Sequence, residues 1–129
     1  MRVDVQRVLA YDGKEFFTQG VDGMTGTRQI LALFDSSKMT STDVTDYFPG
    51  TFQLHGVDGH NGYLVGGQLN QKAYLARFRA GTVPVVLTSL LPKGAVDVTA
   101  IRIAGSRSVI VGIGSAGQIF MTTLANDTP

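Results

Sequence analysis

An all-β fold made of three copies of one unit is what the sequence predicts. Sixteen glycines punctuate apolar segments rich in Val, Ile, Thr, Phe and Tyr, residues that suit a pleated, half-buried surface. Two sets of glycines, Gly13, Gly59 and Gly105, then Gly20, Gly66 and Gly112, each recur every 46 residues. A fixed period of that length marks a repeat architecture. No segment carries the apolar stripe of an amphipathic helix. The best stretch, residues 36–48, is dominated by Ser, Thr and Asp, which favour caps and turns over helix interiors.

Taken in order, the elements fall into one register. Asp12-Gly13, Asp58-Gly59 and Ala104-Gly105 predict hairpin turns, because such pairs supply positive φ angles. First strands are expected before them at 8–10, 54–56 and 100–102, and second strands after them at 16–18, 62–64 and 108–110. The second glycine set lies inside those second strands, where a missing side chain predicts a bulge or a close neighbour. Third strands follow at 30–34, 74–78 and 120–124, with two extra residues in the first unit's turn. Fourth strands are expected at 44–48 and 85–90, and the third unit has none before Pro129. The units run approximately 1–50, 51–95 and 96–129 within a single domain, 1–129. Gly-Val-Asp-Gly occurs at 20–23 and 56–59, a competing spacing of 36. That register fails beyond the tetrapeptide, setting Phe17 against Gln53 and Leu31 against Gly67, so the two are expected to be independent turns.

Composition removes several classes of function. At 129 residues the chain is long enough for one real core. Eleven Lys and Arg against ten Asp and Glu leave a formal charge of +1, far from the basic field that phosphate-backbone binding needs, so no nucleic-acid partner is expected. Without cysteine, disulfides, thiolate catalysis and thiolate metal sites are excluded. The residues after Met1 form no apolar signal core, and no run approaches membrane-spanning length. The expectation is a soluble protein without a membrane partner, cytoplasmic or virion-associated rather than secreted.

A unit of about 40 to 50 residues with four antiparallel strands is the signature of a β-propeller blade. The middle unit, Gly62-Tyr63-Leu64-Val65-Gly66-Gly67 through Ala73-Tyr74-Leu75-Ala76-Arg77-Phe78, resembles the bacterial seven-bladed-type β-propeller repeats. In that family a Val-Gly-Gly-like second strand precedes an Ala-x-Leu-Ala-Arg-Phe-like third strand. The likeness is fullest in the middle unit and thinnest in the first. It implies three propeller-like blades, the third incomplete, with an open β-sandwich or barrel as the alternative. It implies no activity, because propellers host enzymes, lectins and scaffolds alike. Three blades fall short of the usual four to eight. The expected partner is therefore the chain itself, as a homo-oligomer such as a dimer closing about six blades, or the other blades of a longer chain.

Single motifs carry less. Gly112-Ile113-Gly114-Ser115-Ala116-Gly117 matches the dinucleotide-binding G-x-G-x-x-G pattern behind an apolar strand. Only twelve residues follow it, too few for the helix, second strand and distant acid the pattern requires, and residues 118–123 read as a strand. A blade hairpin is expected there, and no cofactor. His55 and His60 have only Asp58 close by in sequence, short of a zinc site. Asp43 and Asp46 lack calcium-loop spacing and suit a capped turn. No G-x-S-x-G elbow presents a nucleophile, so no catalytic or metal residue is named. The candidates for binding a protein or glycan ligand are Arg28, Asn70, Gln71 and Lys72, in turns between second and third strands, and Lys93, in a turn between units. In propellers those loop classes share one face. The expected function is a non-enzymatic binding or scaffolding β-repeat module that oligomerises or completes a larger propeller. The alternatives are a structural subunit of a larger assembly, such as a phage particle, and an enzyme with its site at an oligomer interface.

Overall fold

The computed structural model describes residues 3–22, 24 and 28–125. Strands β1 (Val3–Tyr11), β2 (Phe16–Asp22), β3 (Gln29–Asp35) and β4 (Thr40–Asp43) form a first antiparallel sheet. A second contains β5 (Gln53–Gly59), β6 (Tyr63–Leu69), β7 (Lys72–Phe78) and β8 (Val85–Val86). A third contains β9 (Ala95–Ala104), β10 (Arg107–Gly114) and β11 (Ile119–Ala125). Every sheet keeps chain order from edge to edge, and none closes on itself. The fold is all-β, as the sequence predicts. No helix among the described residues is long and apolar enough to cross a membrane.

Alternation along the strands decides how the sheets stack. In the second sheet Tyr63, Val65, Tyr74, Ala76 and Phe78 point one way, into a core shared with Phe17, Leu31 and Leu33 of the first sheet. Leu64, Ala73 and Leu75 point the other way, into a core shared with Val98, Ile101, Ile110 and Leu124 of the third. Each large apolar side chain removed from water contributes about 1.5–3 kcal/mol, so both cores depend on the middle sheet. Each sheet thus has a forward face, toward the sheet that follows in the chain, and a rear face, toward the one that precedes.

Ladder pairing refines the 46-residue register. Gly20 pairs with Val5 and Ile30, Gly67 with Leu54 and Tyr74, and Gly112 with Val98 and Phe120. Each of these glycines sits next to a bulge in the first strand of its sheet and opposite a large side chain of the third. The equivalent glycine of the middle unit is therefore Gly67 rather than Gly66, giving spacings of 47 and 45 residues. A slip of one residue moves a side chain to the other face of a sheet, and Gly66 lies on the forward face where Gly20 and Gly112 lie on the rear. The reason for glycine is space. A Cβ at Gly67 would collide with the Gln53 carbonyl oxygen, and one at Gly112 with the Asp97 carbonyl and the Phe120 ring.

Three other expectations are corrected. Gly59 ends β5, and the turn is made by His60, Asn61 and Gly62, with positive φ at the last two. Residues 20–22 and 56–59 are strand rather than turns. Residues 44–48 are not the fourth strand: β4 precedes them, and the chain then curls into a 3₁₀ turn at Thr45–Tyr47. β8 spans only Val85–Val86 and is followed by a matching turn at Thr88–Leu90. The two turns use the same bonds. Leu31 N–H donates to Thr45 Oγ1 at 2.9 Å and Val44 N–H to Leu31 O at 2.8 Å. Leu75 N–H donates to Thr88 Oγ1 at 3.1 Å and Leu87 N–H to Leu75 O at 2.7 Å. A threonine hydroxyl thus continues the ladder where the short edge strand stops.

Aromatic rings fill the first joint. Phe17 meets Tyr63 edge-on at 5.1 Å between centroids and Phe78 at 6.5 Å, while Phe48 meets Phe78 at 5.1 Å. The Tyr63 hydroxyl donates to the Glu15 carbonyl. Burial, with the Asp12 and Glu15 charges adding to it, raises the Tyr63 phenol pKa well above the ordinary tyrosine range.

Two outcomes test this packing. Gly67→Ala should cost at least about 2 kcal/mol in urea unfolding, since backbone must move to admit one methyl. Gly50→Ala, with open space around it and no positive φ, should stay within about 0.5 kcal/mol. Stability should also fall as pH rises beyond about 10, where unfolded tyrosine ionises while Tyr63 in the fold still holds its proton. Tyr63→Phe should flatten that alkaline decline in urea titrations.

Candidate binding surfaces

The turn residues singled out from the sequence divide between separate places. Asn70 and Gln71 form the two-residue β6–β7 turn, both with positive φ, and Asn70 Oδ1 accepts a bond from Thr51 Oγ1 at 3.0 Å. Lys72 and Lys93 come together at one cleft of about 340 Å³, with Ala73, Leu91 and Pro92 in its walls. Arg28 stands at a different cleft, about 240 Å³, beside Asp46 and Phe48. Its Nη2 lies 3.2 Å from Asp46 Oδ1 in an exposed ion pair. Asp43 Oδ1 accepts from Thr45 N–H at 2.9 Å just ahead of the 3₁₀ turn, whose N-cap, Val44, has no side-chain bond. The glycine-rich stretch 112–117 forms the end of β10 and its hairpin, with β11 following.

Contacts between sheets were the least visible from spacing. His55 Nδ1 lies 2.7 Å from Asp97 Oδ1, a partner 42 residues away on the third sheet. Asp12 and Asp58, both members of Asp-Gly pairs, each reach across a joint. Asp12 Oδ2 accepts from Gly62 N–H at 3.2 Å, and Asp58 Oδ2 accepts from Ile103 N–H at 2.7 Å. These aspartates tie each first hairpin to the next sheet. The opposite ends of the joints use glutamines: Gln29 Nε2 donates to Phe52 O at 3.1 Å, and Gln68 Nε2 to Val96 O at 3.1 Å.

Two sheet faces lie outside these joints. On the forward face of the third sheet, Ile119 is 79% exposed and Met121 70% exposed, beside half-buried Val109, Val111 and Ile113. On the rear face of the first sheet, Phe16 and Phe34 are half-buried, with Val8 60% exposed and Tyr11 exposed on the edge strand β1. Thr18, Ile30 and Ala32 on that face are buried. The contiguous apolar surface of the third sheet is of the kind that marks an interaction site. Its signal in the sequence is two apolar runs, 109–113 and 119–121, and an apolar run does not say which face stays bare.

No protein-family model, no curated protein and no solved structure matches the chain.

Asp58→Ala should cost about 1–3 kcal/mol in urea unfolding, because it leaves the Ile103 N–H in the second joint without its acceptor. Asp46→Ala, which removes only the exposed pair with Arg28, should change stability by less than about 0.5 kcal/mol.

Proposed function

We propose that this chain is a non-enzymatic binding and scaffolding module whose three sheets act as propeller blades completed by a second copy. One observation carries the reading: the apolar forward face of the third sheet, with Ile119 and Met121 largely in water. The occupant is the rear face of the first sheet of another copy. Within the chain, forward face meets rear face at both joints, so the forward face of the third sheet is an unused half of that kind of contact, and on the rear face of the first sheet, where Thr18, Ile30 and Ala32 are already buried, the contact falls on the residues around them. Phe16, Phe34, Val8 and Tyr11 supply the apolar surface on the receiving side. A contact between two different faces closes into a ring when the rotation per copy allows it. Two copies would give six blades, inside the usual range of four to eight.

In that ring the clefts at Lys72 and Lys93 and at Arg28 would repeat around one end, where the β6–β7 turn and the links between sheets gather. They are the proposed contacts for a protein or glycan partner. Lysine and arginine side chains there combine a charged tip with an aliphatic stem, which suits a polar ligand on a partly apolar floor.

Sedimentation equilibrium of the full chain at micromolar concentration should give the mass of a dimer. A double variant, Ile119→Asp with Met121→Lys, should sediment as a monomer while its circular dichroism stays that of the wild type. A wild-type monomer across the concentration range would count against the proposal. A large or partner-dependent species would favour a structural subunit of a bigger assembly.

A further inference from the structure

One short segment is used twice in the fold, and a third place for it stands open. Val44-Thr45-Asp46-Tyr47-Phe48-Pro49 and Leu87-Thr88-Ser89-Leu90-Leu91-Pro92 share a pattern of apolar residue, Thr, two variable residues, apolar residue and Pro. They also share a conformation. Ahead of the two 3₁₀ turns, Val44 has φ −117° and ψ 10°, and Leu87 has φ −118° and ψ 13°. Phe48 N–H donates to Thr45 O at 3.1 Å, and Leu91 N–H to Thr88 O at 3.0 Å. Pro49 O accepts from Phe52 N–H at 3.0 Å, and Pro92 O from Ala95 N–H at 3.2 Å. In both copies the apolar pair is buried, Val44 and Phe48 in the first core, Leu87 and Leu91 in the second.

Each segment docks on one backbone position. Leu31 and Leu75 give their N–H to the threonine hydroxyl, and their carbonyls accept from the apolar residue before it. Ile30, next to Leu31, pairs with Gly20, and Tyr74, next to Leu75, pairs with Gly67. The same count on the third sheet leads from Gly112 through Phe120 to Met121. There β11 is the outer strand, and no strand among the described residues lies beyond it. Gly114 N–H donates to Gln118 O at 2.8 Å. Direction alternates along an antiparallel ladder, so Phe120, Thr122 and Leu124 turn their backbone groups to β10, while Met121 and Thr123 turn theirs outward. An unpaired strand edge is a template for another chain. Burial follows the same division: Leu31 and Leu75 are fully buried, whereas Met121 is 70% exposed.

We infer that the outer edge of β11 is a docking site for an extended segment of a partner polypeptide carrying the apolar-Thr-x-x-apolar-Pro pattern. The first apolar residue of the segment donates its N–H to Met121 O, and the threonine hydroxyl accepts from Met121 N–H. Residues ahead of the pattern add a short strand beside Thr123, as β4 and β8 do beside Leu33 and Arg77. The two apolar side chains then lie on the forward face, as Val44 and Phe48 do on the first sheet and Leu87 and Leu91 on the second. Within the chain, such a segment and the rear face of the next sheet share one core. Docking at β11 is therefore compatible with the self-association proposed above and does not depend on it, because its hydrogen bonds are made to β11 alone.

The test is fluorescence anisotropy of a labelled synthetic peptide of residues 40–49, titrated with the full chain. Saturable binding is expected, weakened about tenfold when the peptide carries Thr45→Val, the scale of one lost hydrogen bond. Met121→Pro in the protein removes the outward N–H at an edge position, where proline is tolerated. It should abolish binding, while Met121→Leu should retain it. Amide hydrogen exchange of the wild-type chain gives a second readout that needs no variant: the peptide should protect the Met121 and Thr123 N–H groups. Thermal melts will show that the variants are folded, and where Met121→Pro is not, the exchange measurement decides. Absence of saturable binding would overturn the inference. So would binding that Thr45→Val or a folded Met121→Pro leaves unchanged, or binding that leaves exchange at Met121 and Thr123 as fast as before, since the peptide would then be replacing its own copy on β3.

Discussion

The middle sheet has no face to give to water, and the rest of the structure follows from that constraint. Tyr63, Val65, Tyr74, Ala76 and Phe78 require a cover on one side, and Leu64, Ala73 and Leu75 require one on the other. A four-stranded sheet with apolar residues on both faces cannot stand alone in water. The first and third sheets exist, in energetic terms, as its two covers. Each then keeps an outer face, and the third sheet's is the more exposed.

Covering a sheet closely demands that backbones approach, and here the glycines of the second strands enter. Gly67 and Gly112 leave no room for a methyl group, so the first strand can bulge toward them, and at Gly112 the Phe120 ring lies over the gap. Bulges increase local twist, and twisted sheets are the ones that stack at a regular angle. The threonine turns at Thr45 and Thr88 follow the short fourth strands. They carry the chain to the first strand of the next sheet with the third-strand backbone satisfied.

Much of this was legible in the sequence, and the parts that were not share a cause. Strand class follows from short apolar segments rich in β-formers, a local property, while the three-unit count and the positions of β3, β7 and β11 follow from the recurring glycines. The register failed by one residue at Gly66 because two adjacent glycines satisfy the same spacing, and only the pairing to Leu54 and Tyr74 separates them. The edge strands were misplaced because Val44-Thr45-Asp46-Tyr47-Phe48-Pro49 and Leu87-Thr88-Ser89-Leu90-Leu91-Pro92 look strand-like by composition. Their real signal was their mutual likeness, 43 residues apart. Among the surface candidates, Lys72 and Lys93 could be paired only in three dimensions.

The up-and-down order within each sheet has a consequence for how the chain acquires its shape. Every strand pairs with its immediate successor, so hairpins can form early from contacts close in sequence, while the joints must wait for whole sheets. During synthesis the first sheet emerges first and offers Phe17, Leu31 and Leu33 as a platform when β6 and β7 arrive. The hazardous interval comes next. Until β9 and β10 are made, the second sheet shows Leu64 and Leu75 to solvent, and a transiently bare apolar face is where chains aggregate. The order of elements along the polypeptide thus keeps one side of the most vulnerable sheet sheltered from the moment it forms.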